Sequence, residues 1–166
     1  MTPPSGAGGS VDLLRDGELT ILGRIRSASN ATFLCEAAIP DAEGGAVHCV
    51  YKPVAGEQPL WDFPDGTLAG REYATYLISA ALGWNIVPRT VIREGPAGPG
   101  MLQLWVDQPD DDGADLVDLC PAGRVPAGYL AVLQAYDYAG DEVSLIHADD
   151  PALRRMAVFD VLVNNA

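Results

Sequence analysis

Lysine is the rarest basic side chain in this sequence, because Lys52 is the single lysine among 10 basic residues. The chain is rich in Ala, Gly, Pro, Asp and Arg, so lysine is scarce throughout and arginine serves wherever any cation suffices. An ammonium is a compact charge on a flexible stem, whereas a guanidinium is a wide planar fork. A lysine ending a strand, before a helix with an internal glutamate such as Glu72, is typical of a site where the ammonium neutralises phosphates and the carboxylate positions it.

These residues also have ordinary explanations. Lys52 could be a charge on an edge strand that discourages aggregation. Glu72 could be an exposed helix residue. Trp61 and Trp105 are of a type found more often in the core or at its rim than as a ligand platform.

The elements that would position Lys52 and Glu72 are predicted from periodicity and turn signals. The first half reads as three strands, one helix and two further strands, with Lys52 near the end of the third strand and Glu72 inside the helix. The predicted ranges are strands over 18–26, 31–39, 46–54, 86–94 and 100–108, and a helix over 67–82 that ends at Gly83.

The second half changes character. Pro126 can open a helix that runs to Ala139, with Gly140 as its stop, and Asp150 with Pro151 predicts a second helix over 151–163. Asn164 and Asn165 could cap that helix, and Asp160 within it could be a buried, hydrogen-bonded carboxylate. Residues 1–10, rich in Pro, Gly and Ser, are predicted to form a flexible tail.

Composition limits the partners and the compartment. A formal net charge of -13 argues against nucleic acid as the main partner. No apolar run reaches the length of a membrane span, and the first ten residues lack the features of a signal peptide, so we expect a cytoplasmic protein. The 3 cysteines lack metal-site spacing and are expected to be small buried hydrophobes, and His48 and His147 are expected to be structural.

The pieces "SASN", "YKPVAGE", "GREYATYL", "LQLWV" and "FDVLVNNA" together carry a resemblance. The chain resembles an uncharacterised actinobacterial family distantly related to phosphatidylinositol 3/4-kinases, a branch of the atypical protein-kinase-like fold. The resemblance covers most of residues 18–166. It implies an α+β fold: a kinase-like amino-terminal lobe over 11–108, with a five-stranded antiparallel sheet, one helix and a hinge, followed over 109–166 by the first helices of a helical second lobe.

The resemblance also implies an ATP-dependent phosphotransferase, a nucleotide-binding transferase that uses ATP and Mg²⁺. Lys52 would contact the nucleotide phosphates, and Glu72 would pair with it. The loop over the phosphates would comprise Ser27, Ala28, Ser29 and Asn30. The hinge facing adenine would comprise Leu104, Trp105 and Val106, with Asp107 at its exit.

The chain departs from the family pattern in two places. It lacks GxGxxG in the first loop, and it stops before the aspartates that would position the acceptor and bind metal, so no catalytic or metal-binding residue is assigned within it. We therefore expect a truncated amino-terminal fragment, inactive by itself. The acceptor stays open between lipid, protein and small molecule. Two alternatives remain: a non-catalytic interaction module on the same fold, and an unrelated α+β binding domain.

Overall fold

A computed structural model describes residues 12–40, 45–107 and 116–165. The chain divides into two compact units between Asp107 and Gln108. The tail predicted for residues 1–10 lies outside the described ranges. No helix within those ranges is long and apolar enough to cross a membrane.

The first unit contains a five-stranded sheet in the order β1-β2-β3-β5-β4, in which every pair of neighbours is antiparallel. This arrangement confirms the predicted antiparallel sheet, and the helix predicted over 67–82 is confirmed as α2. The elements are α1 (Leu13–Asp16), β1 (Glu18–Arg24), β2 (Phe33–Ala38), β3 (Ala46–Pro53), a 3-10 turn (Val54–Gly56), α2 (Leu68–Ala81), β4 (Thr90–Gly95) and β5 (Gly98–Leu104).

The start of β4 differs from the prediction of a strand over 86–94. The backbone N–H groups of Ile86 and Val87 donate to Ser79 Oγ, at 2.8 and 3.1 Å. This serine is fully buried in α2, so it holds the chain in a turn beside the helix end. The strand therefore begins later than predicted, at Thr90.

Alternation along β3 sorts its side chains onto the two faces of the sheet. Cys49 and Tyr51 are fully buried on one face and belong to the core that includes Leu14 of α1. Val50 and Lys52 point to the other face. The core comprises Leu14, Cys35, Ala37, Cys49, Tyr51, Val91 and Leu102.

Tyr51 is the largest fully buried side chain, and its ring lies against two glycines of the β4–β5 hairpin. A Cβ atom on Gly95 would lie 2.7 Å from the Tyr51 Cζ atom, and one on Gly100 would lie 2.7 Å from Cε2. The Tyr51 hydroxyl donates to the Gly98 carbonyl at 2.6 Å and accepts from the Ala97 N–H at 3.3 Å. The hairpin is thus shaped around one aromatic ring.

The second unit contains a three-stranded antiparallel sheet and a helix. The sheet has the order β6-β8-β7, from β6 (Val117–Pro121), β7 (Tyr129–Tyr136) and β8 (Glu142–Ala148), and is followed by α3 (Pro151–Val163). The predicted helix over 151–163 is confirmed. Asp150 caps it by accepting from the Ala152 N–H at 2.6 Å, and Asn164 ends it in the left-handed conformation with φ of 54°.

The helix predicted from Pro126 to Ala139 is wrong, and so is the expectation that the second unit is helical. Gly128 has φ of +84°, which an α-helix does not contain, and the Tyr129 N–H closes a turn onto the Pro126 carbonyl. The residues that follow form β7. A register shift between Ala131 and Leu133 interrupts the strand's alternation and hides its period of two in the sequence.

Candidate functional site

The candidate site is centred on an ion pair between Lys52 of β3 and Glu72 of α2. The lysine Nζ donates to Glu72 Oε2 at 2.7 Å. The predicted pairing of Glu72 with Lys52 is therefore confirmed. The side chains keep 28% and 34% of their surface accessible, so a ligand can reach the pair from solvent.

Lys52 does not blunt a sheet edge, because β3 is the middle strand of the five. In the register of the sheet it lies opposite Met101 of β5, which is fully buried. Lys52 is thus paired with β5, and β2 pairs with the residues just before it in β3. The edge-strand explanation of Lys52 is therefore wrong, and Glu72 is a paired residue rather than an ordinary exposed one.

The loop of Ser27, Ala28, Ser29 and Asn30 joins β1 to β2 at the same end of the sheet as Lys52, since Phe33 at the start of β2 is paired with Tyr51. Asn30 Oδ1 accepts from the Gln58 N–H at 2.8 Å. The Ala31 N–H donates to the Gly56 carbonyl at 2.9 Å. The loop is thus anchored to the segment that follows β3, while Ser27 and Ser29 are exposed.

The predicted hinge, Leu104 to Val106, begins at the last residue of β5. The Leu104 N–H donates to the Arg89 carbonyl at 2.9 Å, and the Trp105 N–H donates to the His48 carbonyl at 3.0 Å. Those two N–H groups are therefore engaged within the sheet. Among the described residues, none accepts a hydrogen bond from the Val106 N–H. The Trp105 indole is 40% exposed and donates to Asp107 Oδ1 at 3.1 Å, so it is a rim residue.

Two apolar residues on the face of the sheet that carries Lys52 were not predicted as site residues. Leu34 of β2 lies directly opposite Val50 of β3, which lies opposite Gln103 of β5. By alternation all three share the face of Lys52, and Leu34 and Val50 are half-buried. The signal was present in the sequence, because Val50 is two positions before the lysine.

Glu57 is a further residue that sequence reasoning missed. Its carboxylate accepts from the Ala69 N–H at 2.7 Å and from the Leu68 N–H at 3.1 Å, at the start of α2. Thr67 is the residue that precedes the helix, but its hydroxyl donates to the Pro64 carbonyl at 2.6 Å instead of capping. No local pattern reveals this role, because Glu57 lies in a loop well before the helix.

The other candidate residues have structural roles or lie away from the ion pair. Trp61 is 97% exposed and lies in the loop before α2. Burial raises the pKa of the Cys35 and Cys49 thiols to about 11, and all 3 cysteines are buried, which confirms their assignment as core residues. Within the described ranges, no cluster of His, Cys, Asp or Glu side chains is suited to hold a metal ion.

At the end of α3, Asp160 Oδ1 accepts from the Asn165 side chain at 3.0 Å, and the Asn165 N–H donates to the Asp160 carbonyl. Asn164 is the left-handed residue that ends the helix. Asn164 and Asn165 thus end the helix, as the sequence allowed, and Asp160 is hydrogen-bonded but half-buried rather than buried.

Comparison with known proteins gives one strong similarity. No protein-family model matches this chain, and no solved structure matches it. The chain is 69% identical to Protein Rv2133c of Mycobacterium tuberculosis (strain ATCC 25618 / H37Rv) over 161 residues, which cover 93% of the chain. It spans 57% of the length of that protein.

Proposed function

We propose that this chain supplies the nucleotide-binding lobe of a kinase-like, ATP-dependent phosphotransferase. The observation that carries the proposal is the accessible Lys52–Glu72 ion pair, formed between the central strand of an antiparallel sheet and the helix that follows it. In phosphotransferases, a lysine held by a helix glutamate neutralises nucleotide phosphates. Glu72 takes one of the three N–H donors of the Lys52 ammonium, so the other two can meet phosphate oxygens.

The face of the sheet beside Lys52 suits the rest of a nucleotide. The half-buried Leu34 and Val50 offer apolar surface for a purine ring, and β5 leads from this face to Val106. Val106 is the hinge residue whose backbone can hydrogen-bond a base. The loop from Ser27 to Asn30 lies at the lysine end of the sheet, where its small side chains allow a backbone N–H to approach a phosphate.

Phosphotransfer moves the γ-phosphoryl group of ATP to an acceptor oxygen and releases ADP. The chain's own contribution in this proposal is to bind and orient the triphosphate. No residue of the described ranges is assigned as a metal ligand or as the base, so no step is derived through Mg²⁺. The acceptor class stays open between lipid, protein and small molecule, although the charge of -13 disfavours docking on an anionic membrane.

The proposal is tested by calorimetric titration of the whole protein with Mg·ATP, as wild type and as Lys52→Met. Arg124→Met is a matched control, because it removes one cation from an exposed position in the second unit. A charge-assisted hydrogen bond is worth about 1.5–3 kcal/mol, so Lys52→Met is expected to weaken binding roughly 10- to 150-fold. Arg124→Met is expected to bind like the wild type.

Two results would count against the proposal. If the whole protein does not bind ATP, the non-catalytic interaction module becomes the better assignment. If Lys52→Met binds as tightly as the wild type, the lysine has no part in the site. The 166-residue chain alone is expected to bind ATP weakly or undetectably and to transfer no phosphate, since its net charge repels a triphosphate. Tight binding by that chain would show that the proposed site needs nothing further.

A further inference from the structure

We infer that Glu57 is a positioning residue of the candidate site. It lies in a segment that holds α2 and the loop of residues 27–30 in place relative to Lys52. This inference rests on the proposed function, because its effect is measured as nucleotide binding. The contacts of Glu57 are observed directly in the structure. They lie in the short connection between the end of β3 and the start of α2.

The first contact is the cap that Glu57 places on α2. The first backbone N–H groups of a helix have no partner within the helix, and they form the positive end of its dipole. The Glu57 carboxylate accepts from two of them, those of Leu68 and Ala69. Thr67, which precedes the helix, does not cap it with its side chain. The carboxylate that caps the amino-terminal end of α2 therefore comes from Glu57, a residue outside the helix.

The cap acts on the residue that holds Lys52. Ala69 and Glu72 are three positions apart in α2, so they are neighbours on one side of the helix. Ala69 is buried, and Glu72 bonds Lys52 at 2.7 Å. Without the cap, the first turn of α2 can fray, and the Glu72 carboxylate is then no longer fixed relative to β3.

The residues on either side of Glu57 hold the loop. The Gly56 carbonyl accepts from the Ala31 N–H, and the Gln58 N–H donates to Asn30 Oδ1. A Cβ atom on Gly56 would lie 2.3 Å from the Ala31 Cβ atom, so the two backbones are in close contact. One segment of three residues thus fixes both the loop on one side of Lys52 and the helix on the other.

A double-mutant cycle on Mg·ATP affinity tests the inference in the whole protein. The variants are Glu57→Gln, Glu72→Gln and the two combined. Glu57→Gln keeps the size of the side chain but loses its charge and one of its acceptors. Asp62→Asn is the matched control, because Asp62 is an exposed carboxylate of the same loop that bonds no other described residue. Tryptophan fluorescence melting confirms that each variant is folded.

If Glu57 acts through Glu72, its substitution weakens ATP binding roughly two- to twelvefold, the range that one hydrogen bond is worth. In the Glu72→Gln background it then has no further effect, and Asp62→Asn binds like the wild type. Hydrogen exchange at the start of α2 is expected to be faster in Glu57→Gln than in Asp62→Asn. A purely structural role would lower the melting temperature and leave the ATP affinity of the folded protein unchanged.

The outcomes separate the two hypotheses. If Glu72→Gln weakens binding but Glu57→Gln does not, or if the two effects add in the double variant, the positioning role is refuted and the proposed function stands. If neither Lys52→Met nor Glu72→Gln changes binding, the proposed function fails, and this inference fails with it. Should Glu57→Gln not fold, the cycle is repeated with Glu57→Asp, whose shorter side chain cannot reach both N–H groups, and the same criteria apply.

Discussion

Replacement of Gly56 by alanine is expected to destabilise the first unit through a single steric contact. The added Cβ atom would lie 2.3 Å from the Ala31 Cβ atom and 3.4 Å from Pro53 Cγ. Carbon atoms pack at about 3.5–4.0 Å, so the two backbones must separate by roughly 1 Å or more. Neither methyl group can rotate away, because each Cβ is fixed to its backbone. The separation also stretches the hydrogen bond from the Ala31 N–H to the Gly56 carbonyl.

The net cost follows from three effects. Overpacking of this kind costs about 1–3 kcal/mol, and a lost hydrogen bond costs about 0.5–1.5 kcal/mol. A Gly-to-Ala change also restricts the unfolded chain, which offsets about 0.4–1 kcal/mol of this loss. We expect the free energy of unfolding to fall by roughly 0.5–4 kcal/mol. With an m-value of about 1.5 kcal/mol per molar urea, the midpoint falls by roughly 0.3–2.7 M.

Urea unfolding followed by tryptophan fluorescence reports on the first structural unit, which contains Gly56. The 3 tryptophans, Trp61, Trp84 and Trp105, all precede the boundary after Asp107. Gly70→Ala is the matched control. It restricts the unfolded chain equally, but Gly70 is an exposed position of α2 with no atom near its added Cβ. Alanine there is expected to stabilise by about 0.5–1 kcal/mol, as in other helices. A midpoint for Gly56→Ala equal to or above the wild type would refute the close contact and the anchoring of the loop.

Three further predictions concern other buried or paired groups. Ser79→Ala leaves two backbone N–H groups without their buried acceptor. The free energy of unfolding, measured in urea, is expected to fall by roughly 2–4 kcal/mol, and a loss below about 1 kcal/mol would contradict this. The hydrogen bond from Arg89 lowers the pKa of Asp12 below its ordinary value of 3.8, so the stability that this pair contributes is present above that value and lost as the pH falls through the lower folded pKa. Acid titration of Asp12→Asn should therefore show a shallower loss of stability below pH 4 than the wild type, and parallel curves would exclude this contribution. Because burial raises the pKa of Cys35 and Cys49 to about 11, these thiols are expected not to react with a disulfide reagent at pH 8 until urea unfolds the chain, and rapid reaction of both in the native protein would contradict their burial.

The first unit could be predicted from sequence because its signals are local. Alternation along β3 places the Lys52 and Tyr51 side chains on opposite faces of the sheet. The apolar stripe of α2 ends at Gly83, a glycine with φ of +65°. Glu72 of the helix that follows β3 bonds Lys52. A single lysine at a strand end, followed by a helix with one internal glutamate, therefore indicated the pair at the centre of the candidate site.

The rest depended on contacts that no periodicity reveals. The run "YLAVLQAY" of β7 contains good helix formers, and pairing with β8 overrides that local preference. Its register shift removes the alternation that would have indicated a strand. The role of Glu57 depends on a loop folding back onto the start of α2, a tertiary contact across 11 residues of sequence. Gly128 was the one available warning against a helix, because its position lies inside the predicted range.

The packing of Tyr51 between Gly95 and Gly100 has a consequence for the evolution of this fold. Gly95 can gain a side chain only if the aromatic ring is withdrawn, since its added Cβ would lie 2.7 Å from the ring Cζ atom. Gly100 is confined by the backbone as well, because its added Cβ would lie 2.5 Å from the Lys52 carbonyl oxygen. The ring cannot be lost alone either, because its hydroxyl holds the turn through the Gly98 carbonyl. Gly95 and Tyr51 should therefore change together, while Gly100 is expected to stay glycine: a homologue with a larger residue in place of Gly95 is expected to carry a smaller one in place of the tyrosine, and its β4–β5 turn is free to differ in length.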